Sequence, residues 1–575
     1  MRVTQQAARK QDVSIVLCGQ AGQGVQTVEH LLTRILKAAG YHVFATKEYM
    51  SRVRGGANST TIRVCSKRVA APISRMDILV PLNKGTVAHV AERLSPETVL
   101  VGEREVVADE AAESHRLLVV PFTQIASDIG GKIYSNVVAV GAIAGLLGLD
   151  PEAVVAYVRR FFAKKSEDIV ANNVKAVQAG YDAVGKLDLP DGLKLTFKPS
   201  AKVADEMLLS GAEAVGLGAI AGGCNFVSSY PMSPSTNVLT FLAQHGLEQG
   251  VLVEQAEDEI AAINMAIGAA YAGARALVTT SGGGFALMTE GVSLAGMLEC
   301  PVVIHLAQRP GPATGLPTRT EQADLELALY AGHGEFPRIL FAPGTLEQAF
   351  YLTQRAFNLA DKYQIPAFVL TDEYLIDSYY NCKGFDLSKA KVDRHIVKTA
   401  PDYRRYKLTK NGISPRGIPG YGEGLVAVDS DEHDEEGHIT EDLNVRVAMV
   451  DKRLAKGESL KKDIVRPELI GPKNYKKLVI CWGSTYHVVR EALAELGRTD
   501  TAMLHYSQVY PLHSSTAGLI RKARRTVVVE GNATGQFRKL IRLYAGADVD
   551  EALVTYDGLG FTVEDVVEGL TEIFS

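Results

Sequence analysis

The chain has 575 residues, of which 46% are hydrophobic and 22% charged, and its formal net charge is -5. Because single hydrophobic cores stop growing near about 250–300 residues, this length predicts several domains. The slightly acidic balance offers no broad attraction for nucleic acid, so we expect no nucleic-acid partner. The longest apolar run, residues 137–149, is too short to cross a bilayer and predicts a buried helix. We expect a cytoplasmic chain without a membrane span, since the N-terminus has no secretory signal pattern.

The six cysteines lie singly along the sequence, and none forms a CxxC pair with another. Zinc sites and iron–sulfur clusters use cysteines at short, defined spacings. We therefore expect no metal site, no cluster and no disulfide framework on this chain, and we expect reduced, mostly buried thiols. The cysteines are Cys18, Cys65, Cys224, Cys300, Cys382 and Cys481.

The N-terminal segment follows the pattern of an α/β domain. Residues 12–46 contain the β-branched stretch VSIVLC, the turn GQAGQG, an amphipathic stretch and a second apolar stretch, YHVFAT. This order predicts a strand, a helix and a strand. A stretch rich in turn residues, DLPDGLKLTFKPSAK, predicts a linker further along. We place the first domain at residues 1–190.

The turn GQAGQG, residues 19–24, lies where a helix N-terminus can hold a phosphate on backbone N–H groups. Its glycine spacing is GxxGxG, not the GxGxxG of dinucleotide sites, and Lys47 instead of an acid follows the second strand, so we do not expect an NAD site. Two interpretations remain: a tight turn with close helix packing, or contact with another phosphorylated or anionic ligand. Lys47, Arg52 and Arg54 favour the ligand, but they fit a solvated face equally well.

Three further segments follow the linker. Residues 204–382 alternate apolar strands with helices, as parallel sheets require. Residues 383–471 break this rhythm and predict an extended insert or arm. The acidic run DSDEHDEEGHITE in this insert has Asp434 where a calcium loop needs glycine, so we expect a solvated or hydrogen-bonded loop. Residues 472–575 return to the alternation and predict a compact C-terminal α/β domain.

Three stretches of the second segment combine polar side chains with a constrained backbone. EQAEDE directly precedes a helix pattern of small and apolar residues, where carboxylates favour the positive end of the helix dipole. In SSYPMSPSTN, two prolines fix the backbone around Ser233 at the end of a strand, where α/β sheets bind ligands; a turn that starts a helix at Ser235 and Thr236 explains the stretch equally well. Arg309 and Arg319 lie on a Gly/Pro-rich loop after another strand, and arginine there suits bidentate binding of a carboxylate.

These stretches, taken in order, resemble one enzyme family over nearly the whole chain. The likeness to the alpha subunit of 2-oxoglutarate:ferredoxin oxidoreductases is carried by YPMSPST, EDEIAAINMAIGAAYAGAR, TTSGGGFALMTE, QRPGPATGLPTRTEQADL, HGEFPRIL, GISPRGIPG, DSDEHDEEGH and EGNATGQF. GQAGQG and SRVRGG resemble the gamma domain that this group fuses ahead of alpha. The resemblance implies an α/β multidomain chain with a gamma domain, a pyrimidine-type thiamine diphosphate-binding domain and a transketolase C-terminal-like domain.

The resemblance also implies a reaction: 2-oxoglutarate, coenzyme A and oxidised ferredoxin are reversibly converted to succinyl-CoA, carbon dioxide and reduced ferredoxin. Such enzymes divide thiamine diphosphate between two domains, and this chain lacks the GDG motif that grips the diphosphate. We therefore expect a separate beta subunit with the GDG motif, Mg²⁺ and a [4Fe–4S] cluster, in a dimer of alpha–beta heterodimers. The alternatives are an oxidoreductase for pyruvate or a broad range of 2-oxoacids, and a non-catalytic scaffold that binds coenzyme A or another anion.

The family's functional residues match individual positions of this sequence. A glutamate that hydrogen-bonds the pyrimidine ring nitrogen matches Glu259; it favours the ring tautomer that removes the thiazolium proton. Ser233 matches a hydroxyl that meets the substrate, with Met232 where isoleucine is common, and Arg309 matches the arginine that binds the oxoacid carboxylate. Lys47 is our candidate for the second carboxylate of 2-oxoglutarate. We also expect Arg319 and Arg52 near the substrate. We expect coenzyme A along the glycine turn. The residues expected at the cofactors are Tyr230, Pro231, Gly22, Gly24 and Arg54.

Overall fold

A computed structural model describes residues 12–51, 55–107, 115–190 and 193–575. Within these residues the chain forms two compact units. The first unit comprises Met1–Leu209 and Ser378–Gly384, and the second comprises Ser210–Asp377 and Phe385–Ser575. Arg52 and Arg54, both named as candidate site residues, lie outside the described residues.

The strands are numbered in chain order. They are β1 (Asp12–Ala21), β2 (His42–Glu48), β3 (Gly55–Cys65), β4 (Ile78–Pro81), β5 (Val99–Gly102), β6 (Arg116–Val119), β7 (Met207–Ser210), β8 (Phe226–Ser229), β9 (Leu252–Gln255), β10 (Ala276–Thr280), β11 (Val302–Gln308), β12 (Ile339–Phe341), β13 (Pro366–Asp372), β14 (Tyr379–Cys382), β15 (Glu468–Ile470), β16 (Lys477–Trp482), β17 (Thr501–Tyr506), β18 (Gln508–Tyr510), β19 (Arg525–Glu530) and β20 (Glu551–Val554).

The α-helices are numbered in the same way. They are α1 (Val25–Ala38), α2 (Arg104–Val107), α3 (Phe122–Ile129), α4 (Ser135–Leu147), α5 (Pro151–Phe161), α6 (Glu167–Gly185), α7 (Ala201–Ala204), α8 (Gly211–Ala221), α9 (Thr236–His245), α10 (Glu259–Tyr271), α11 (Gly282–Leu287), α12 (Thr289–Met297), α13 (Leu325–Tyr330), α14 (Leu346–Tyr363), α15 (Glu373–Asp377), α16 (Leu443–Leu460), α17 (Tyr486–Leu496), α18 (Thr516–Arg521), α19 (Gln536–Ala545) and α20 (Val563–Ile573). Short 3-10 helices cover Val87–Arg93, Lys132–Tyr134, Leu247–Gln249, Leu387–Lys389, Lys461–Asp463 and Gly483–Thr485.

The first unit is built on an eight-stranded mixed sheet with the order β6-β5-β4-β1-β3-β2-β14-β7. The predicted strand, helix and strand at its start are β1, α1 and β2, but β3 lies between the two strands and pairs antiparallel with both. Strand β1 also runs parallel to β4. The apolar run at residues 137–149 forms most of the buried helix α4, as its composition predicts. In the part of the chain that the structure describes, no helix is long and apolar enough to cross a membrane.

One strand of this sheet comes from a part of the sequence that we assigned to the second domain. We placed residues 204–382 in one domain, whereas β14 pairs antiparallel with β2, joining Tyr379 to Ala45 and Tyr380 to Phe44. The Asn381 side chain accepts a hydrogen bond from the Val43 N–H at 2.6 Å. The segment therefore belongs to the first unit, because its backbone and its amide side chain satisfy the groups of β2.

The second unit contains two sheets over one continuous hydrophobic core. A seven-stranded sheet has the order β18-β12-β13-β11-β10-β8-β9, and its neighbouring strands are parallel except for the antiparallel pair of β18 and β12. A five-stranded sheet has the order β15-β17-β16-β19-β20, with β15 antiparallel to β17. The core includes Phe285 and Phe368 under the larger sheet and Trp482 and Phe537 under the smaller one. The predicted multidomain α/β architecture is confirmed.

The segment that we expected to be an extended insert or arm packs closely against the second unit. It is mostly irregular apart from α16, but buried charges fix it at two places. Asp361 accepts hydrogen bonds from Arg275 and from Arg416 of the segment, and all three side chains are buried. Glu299 contacts Lys452 of α16 at 2.5 Å and also pairs with Lys456.

The acidic run of this segment closes on itself through its own backbone. The Asp434 Oδ1 atom accepts hydrogen bonds from the N–H groups of Glu436, Gly437 and His438 at 2.9–3.0 Å. Glu432 pairs with Arg453 at 2.8 Å. This geometry agrees with the hydrogen-bonded loop that the missing glycine predicts.

All six cysteines lie among the described residues and are buried, and none of them forms a disulfide in the structure. Burial raises the pKa of Cys224 to about 12 and the pKa of Cys300 to about 11. A buried thiol with a raised pKa forms little thiolate, so these two side chains act as small apolar residues.

Candidate active site

The acidic stretch before α10 separates into exposed carboxylates and one buried carboxylate. Glu254, Glu257 and Asp258 are exposed, whereas Glu259 is only 4% exposed. Asp258 is the N-cap of α10, and its side chain accepts a hydrogen bond from the Ala261 N–H at 2.7 Å. Asp258 therefore supplies the helix cap, and Glu259, the first residue of the helix, is free for another role.

The Glu259 carboxyl group lies against the glycine-rich turn that starts α11. A Cβ atom added to Gly284 would lie 2.5 Å from Glu259 Oε1, so only glycine leaves room for this contact. The Oε1 atom is buried, and within the described residues it has no hydrogen-bond partner. A buried carboxyl oxygen without a partner is costly in a folded protein. Its position therefore fits a polar group of a bound molecule.

The loop after β8 approaches the same glycine turn. The Met232 sulfur accepts a hydrogen bond from the Gly284 N–H at 3.2 Å. Ser233 follows it and is partly buried, and α9 begins at Thr236, directly after Ser235. The loop thus starts a helix, as one of our two interpretations predicts, and also lies beside the residue that contacts Glu259.

Arg309 joins this loop from the end of β11. Its side chain is 8% exposed, and the Nη1 atom donates a hydrogen bond to the Ser233 backbone oxygen at 2.7 Å. Burial lowers the pKa of Arg309, while the charge of Asp324 opposes that effect. The structure therefore brings Ser233, Arg309 and the Glu259 turn into one neighbourhood, while their roles at a substrate or cofactor stay predictions.

Asp324 is a further acidic side chain at this place, and the sequence analysis did not identify it. A Cβ atom added to Gly282 would lie 2.4 Å from each of its carboxyl oxygens. Its N–H donates a hydrogen bond to the Gln308 side chain at 3.0 Å. Burial and the charge of Glu321 raise the pKa of Asp324 to about 7, against the opposing charge of Arg309.

The loop between Arg309 and Asp324 is held by Gln322, which uses both its backbone and its side chain. The Gln322 N–H donates to the Gly531 oxygen at 2.6 Å, and the Gly531 N–H donates to the Gln322 side chain at 2.9 Å. The Gln322 amide also donates to the Trp482 oxygen, and Asn532 donates to the Gln322 backbone oxygen. These bonds attach the arginine-bearing loop to the EGNATGQF segment and to Trp482.

The other residues predicted in this unit lie along the same loops. Tyr230 is 40% exposed, and Pro231 is partly buried. Arg319 lies against the loop of Gly558, where an added Cβ atom would be 3.1 Å from the Arg319 Cβ. The contacts of Arg319 are thus with the C-terminal part of the unit, and its role at the substrate stays a prediction.

Lys47, Gly22 and Gly24 belong to the first unit. The Lys47 Nζ atom lies 3.2 Å from Glu29 Oε1 and 4.7 Å from the centre of the Tyr379 ring. Gly24 has a φ of 89°, and an added Cβ atom would clash with Asn136 at 1.9 Å, so this position requires glycine. The turn is therefore tight and closely packed at Gly24, whereas no atom of the described residues lies within 4 Å of the Cβ position at Gly22.

Comparison with known proteins gives the family. Residues 217–452 match the thiamine diphosphate-binding region of pyruvate flavodoxin/ferredoxin oxidoreductases, and residues 14–183 match a second region, described as pyruvate ferredoxin/flavodoxin oxidoreductase. A 2-oxoacid:ferredoxin oxidoreductase subunit alpha from a Sulfolobus species is 33% identical over 98% of this chain and 97% of the relative. The chain belongs to this family of 2-oxoacid:ferredoxin oxidoreductase alpha subunits.

Other members of the 2-oxoacid:ferredoxin oxidoreductase family are similar over comparable lengths. The 2-oxoglutarate oxidoreductase subunit KorA of Mycobacterium tuberculosis is 26% identical over 97% of this chain and 91% of the relative. The 2-oxoglutarate:ferredoxin oxidoreductase from Magnetococcus marinus, solved with 2-oxoglutarate, coenzyme A and succinyl-CoA bound, is 29% identical, with a TM-score of 0.92, over 98% of this chain and all of that one. Ser233, Glu259, Arg309 and Asp324 all lie within the matched thiamine diphosphate-binding region.

Proposed function

We propose that this chain is the alpha subunit of a thiamine diphosphate-dependent 2-oxoglutarate:ferredoxin oxidoreductase. The enzyme converts 2-oxoglutarate, coenzyme A and oxidised ferredoxin to succinyl-CoA, carbon dioxide and reduced ferredoxin. The observation that carries the proposal is a buried carboxyl oxygen of Glu259 that has no hydrogen-bond partner among the described residues. It lies near the Ser233–Arg309 contact, inside the family's thiamine diphosphate-binding region. The ligands of the Magnetococcus marinus enzyme support the choice of 2-oxoglutarate and coenzyme A.

The residues around Glu259 fit the pyrimidine part of thiamine diphosphate. When bound, this cofactor supplies the carbon nucleophile that attacks the 2-oxo carbonyl and takes up the electrons of the decarboxylation. The buried Oε1 atom of Glu259 offers a partner for a ring nitrogen, and Gly284 leaves the space beside it. Because water is scarce around this carboxyl group, Glu259 can hold a proton at the ring nitrogen without competition from solvent.

The remaining parts of the enzyme belong to partners in this proposal. A separate beta subunit carries the GDG motif, Mg²⁺ and a [4Fe–4S] cluster, ferredoxin accepts the electrons, and the assembly is a dimer of alpha–beta heterodimers. The scattered cysteines of this chain support placing the cluster elsewhere. Coenzyme A lies along the turn at Gly22 and Gly24 in this proposal, and no atom of the described part of the chain lies within 4 Å of the Cβ side of Gly22.

Arg309 binds the carboxylate next to the 2-oxo group in this proposal. We expect Arg309→Ala to raise KM for the oxoacid about 10- to 100-fold, because a charge-assisted bidentate pair is lost. The change in kcat should be much smaller, since this carboxylate contact forms before the chemical step. Steady-state kinetics of the complex with its beta subunit measure both constants. An unchanged KM would remove Arg309 from the site.

Lys47 binds the second carboxylate of 2-oxoglutarate in this proposal. We expect Lys47→Ala to lower kcat/KM for 2-oxoglutarate at least about tenfold more than kcat/KM for pyruvate, which has no second carboxylate. Because Lys47 also pairs with the buried Glu29, the melting temperature of the variant is the control for a structural effect. Equal losses on the two substrates would refute the assignment.

A substrate panel tests the proposed function as a whole. The co-purified complex is given 2-oxoglutarate, pyruvate and branched-chain 2-oxoacids with coenzyme A, and reduction of ferredoxin or a low-potential dye is recorded. We expect the highest kcat/KM for 2-oxoglutarate. Equal use of several substrates would make the enzyme a broad-range 2-oxoacid oxidoreductase, and binding of coenzyme A without turnover of any of them would identify a scaffold.

A further inference from the structure

Asp324 lies at the end of the loop that begins with Arg309, and its carboxyl group points back into the site. Both carboxyl oxygens contact the Cβ position of Gly282, and two residues later Gly284 contacts Glu259. The two acids therefore approach one short turn at neighbouring glycines. The Oδ2 atom of Asp324 is buried and, in the described part of the chain, has no hydrogen-bond partner.

The position of Asp324 before α13 does not explain why its carboxyl group is buried. A residue at this place is the N-cap, and an aspartate there ordinarily accepts a hydrogen bond from the first turn of the helix. Asp324 is the N-cap of α13, yet its side chain makes no capping hydrogen bond within the described residues. The carboxyl group is thus held in a buried place where it does not stabilise the helix.

The charged groups around Asp324 come from several elements. Arg309 and Glu321 act on it through their charges, Arg309 from the end of β11 and Glu321 from the same loop. Glu259 approaches the shared glycine turn from α10. Glu326 on α13 is occupied, since it pairs with Lys539 of α19 at 2.7 Å. Among these groups Arg309 is the cation that acts on Asp324 through its charge, and the bond from the Asp324 N–H to the Gln308 side chain holds Asp324 beside the residue that precedes Arg309.

We propose that Asp324 is a positioning residue that supplies the counter-charge of Arg309 in the free enzyme and takes up a proton when the oxoacid carboxylate binds Arg309. This inference rests on the proposed function, because it needs Arg309 to bind the substrate. The physical reason is that a second anion beside one buried guanidinium leaves one negative charge in excess. In a place with little water that charge is neutralised by one proton from solvent.

The pKa of Asp324, raised to about 7, puts this proton uptake within the working pH range. Above pH 7 the free enzyme holds an ionised Asp324, which must gain a proton before the substrate binds tightly. Below pH 7 the proton is already present. For one group of this pKa, KM for the oxoacid should rise about tenfold between pH 6 and pH 8.

The first test measures KM and kcat for 2-oxoglutarate between pH 6 and pH 8 with the complete enzyme. Wild type should show the rise in KM, and Asp324→Asn, which keeps the shape but not the charge, should show a KM that is nearly independent of pH. The matched control is Glu321→Gln: it keeps Asp324 but removes a charge that raises its pKa, so its rise in KM should move to lower pH. An Asp324→Asn variant with the wild-type pH dependence would overturn the proposal.

A second test does not depend on turnover or on the folding of an Asp324 variant. Calorimetry follows 2-oxoglutarate binding to the complete Glu259→Gln enzyme at pH 8, in two buffers with different ionisation enthalpies. We expect uptake of about one proton per site. Binding without proton uptake overturns the role of Asp324 alone. Absence of 2-oxoglutarate binding to this variant, together with absence of turnover by the wild-type enzyme at every pH, overturns the proposed function instead, so the two failures are distinguishable.

Discussion

Glu259→Gln should lower kcat of the complete enzyme at least about 100-fold, because general acid–base catalysis by one positioned side chain contributes a factor of that size or more. Glutamine fills the same space beside Gly284 but cannot hold or release a proton. Turnover of 2-oxoglutarate, with ferredoxin reduction as the signal, measures the loss.

Glu257→Gln is the matched control for this experiment. Glu257 lies two residues earlier in the same acidic stretch and is exposed, so its substitution should leave kcat within about twofold. The thiamine diphosphate content of both variants, measured after isolation, separates weaker cofactor binding from slower chemistry. A Glu259→Gln enzyme with wild-type turnover would make the carboxyl group structural and would favour the scaffold interpretation.

Glu299→Gln should destabilise the second unit by about 3–5 kcal/mol, because it leaves buried lysines without their counter-charge. Glu299 is fully buried, and Lys452 and Lys456 of α16 are 3% and 1% exposed. Burial opposes ionisation of Glu299, but the charges of Lys456 and Lys452 lower its pKa below the ordinary value. Burial also lowers the pKa of Lys456 to about 7, although the charge of Glu299 raises it.

The single tryptophan of the chain reports this change directly. Trp482 is 1% exposed and lies in the core of the same unit, so its fluorescence follows unfolding in urea. The control is Glu458→Gln, which removes an exposed ion pair with Lys461 on the same segment and should change stability by less than about 1 kcal/mol. Adding Lys456→Met to Glu299→Gln should restore part of the loss, and a Glu299→Gln protein as stable as wild type would contradict the prediction.

Some of the site follows from local sequence. An acidic stretch before a helix of small residues predicts that one carboxylate caps the helix. It does not predict where the other carboxylates of the stretch lie. Asp258 is that cap, and burial at Glu259 follows because the next residues toward the core, Ala262 and Ile263, are buried on the same side of α10. The contact between Arg309 and Ser233 joins positions 76 residues apart. The sequence did not predict this contact: the family motifs gave each residue only its own role at the substrate.

Other parts of the fold depend on contacts that local patterns do not contain. An aspartate directly before a helix ordinarily caps that helix. The sequence around Asp324 therefore predicts a cap and gives no indication of the contact between Asp324 and Gly282. From the sequence, strand β14 is the end of the domain at residues 204–382. Only its pairing with β2 assigns it to the first unit. Residues 383–471 break the alternation of strands and helices, so their packing is not predicted from the sequence. Arg416 and Lys456 carry charges that are matched by Asp361 and Glu299 from distant parts of the chain.

If Arg309 binds the oxoacid as proposed, Gln322 ties the substrate-binding loop to C-terminal residues that do not themselves bind the substrate. Its hydrogen bonds to Gly531, Trp482 and Asn532 leave the arginine-bearing loop little independent movement. In a hybrid enzyme with the C-terminal domain of a relative, we expect the arginine-bearing loop to take the position that it has in that relative. Evolution of new oxoacid preferences in this lineage is therefore expected to leave paired changes, one in the loop and one in the distant strand ends that anchor it.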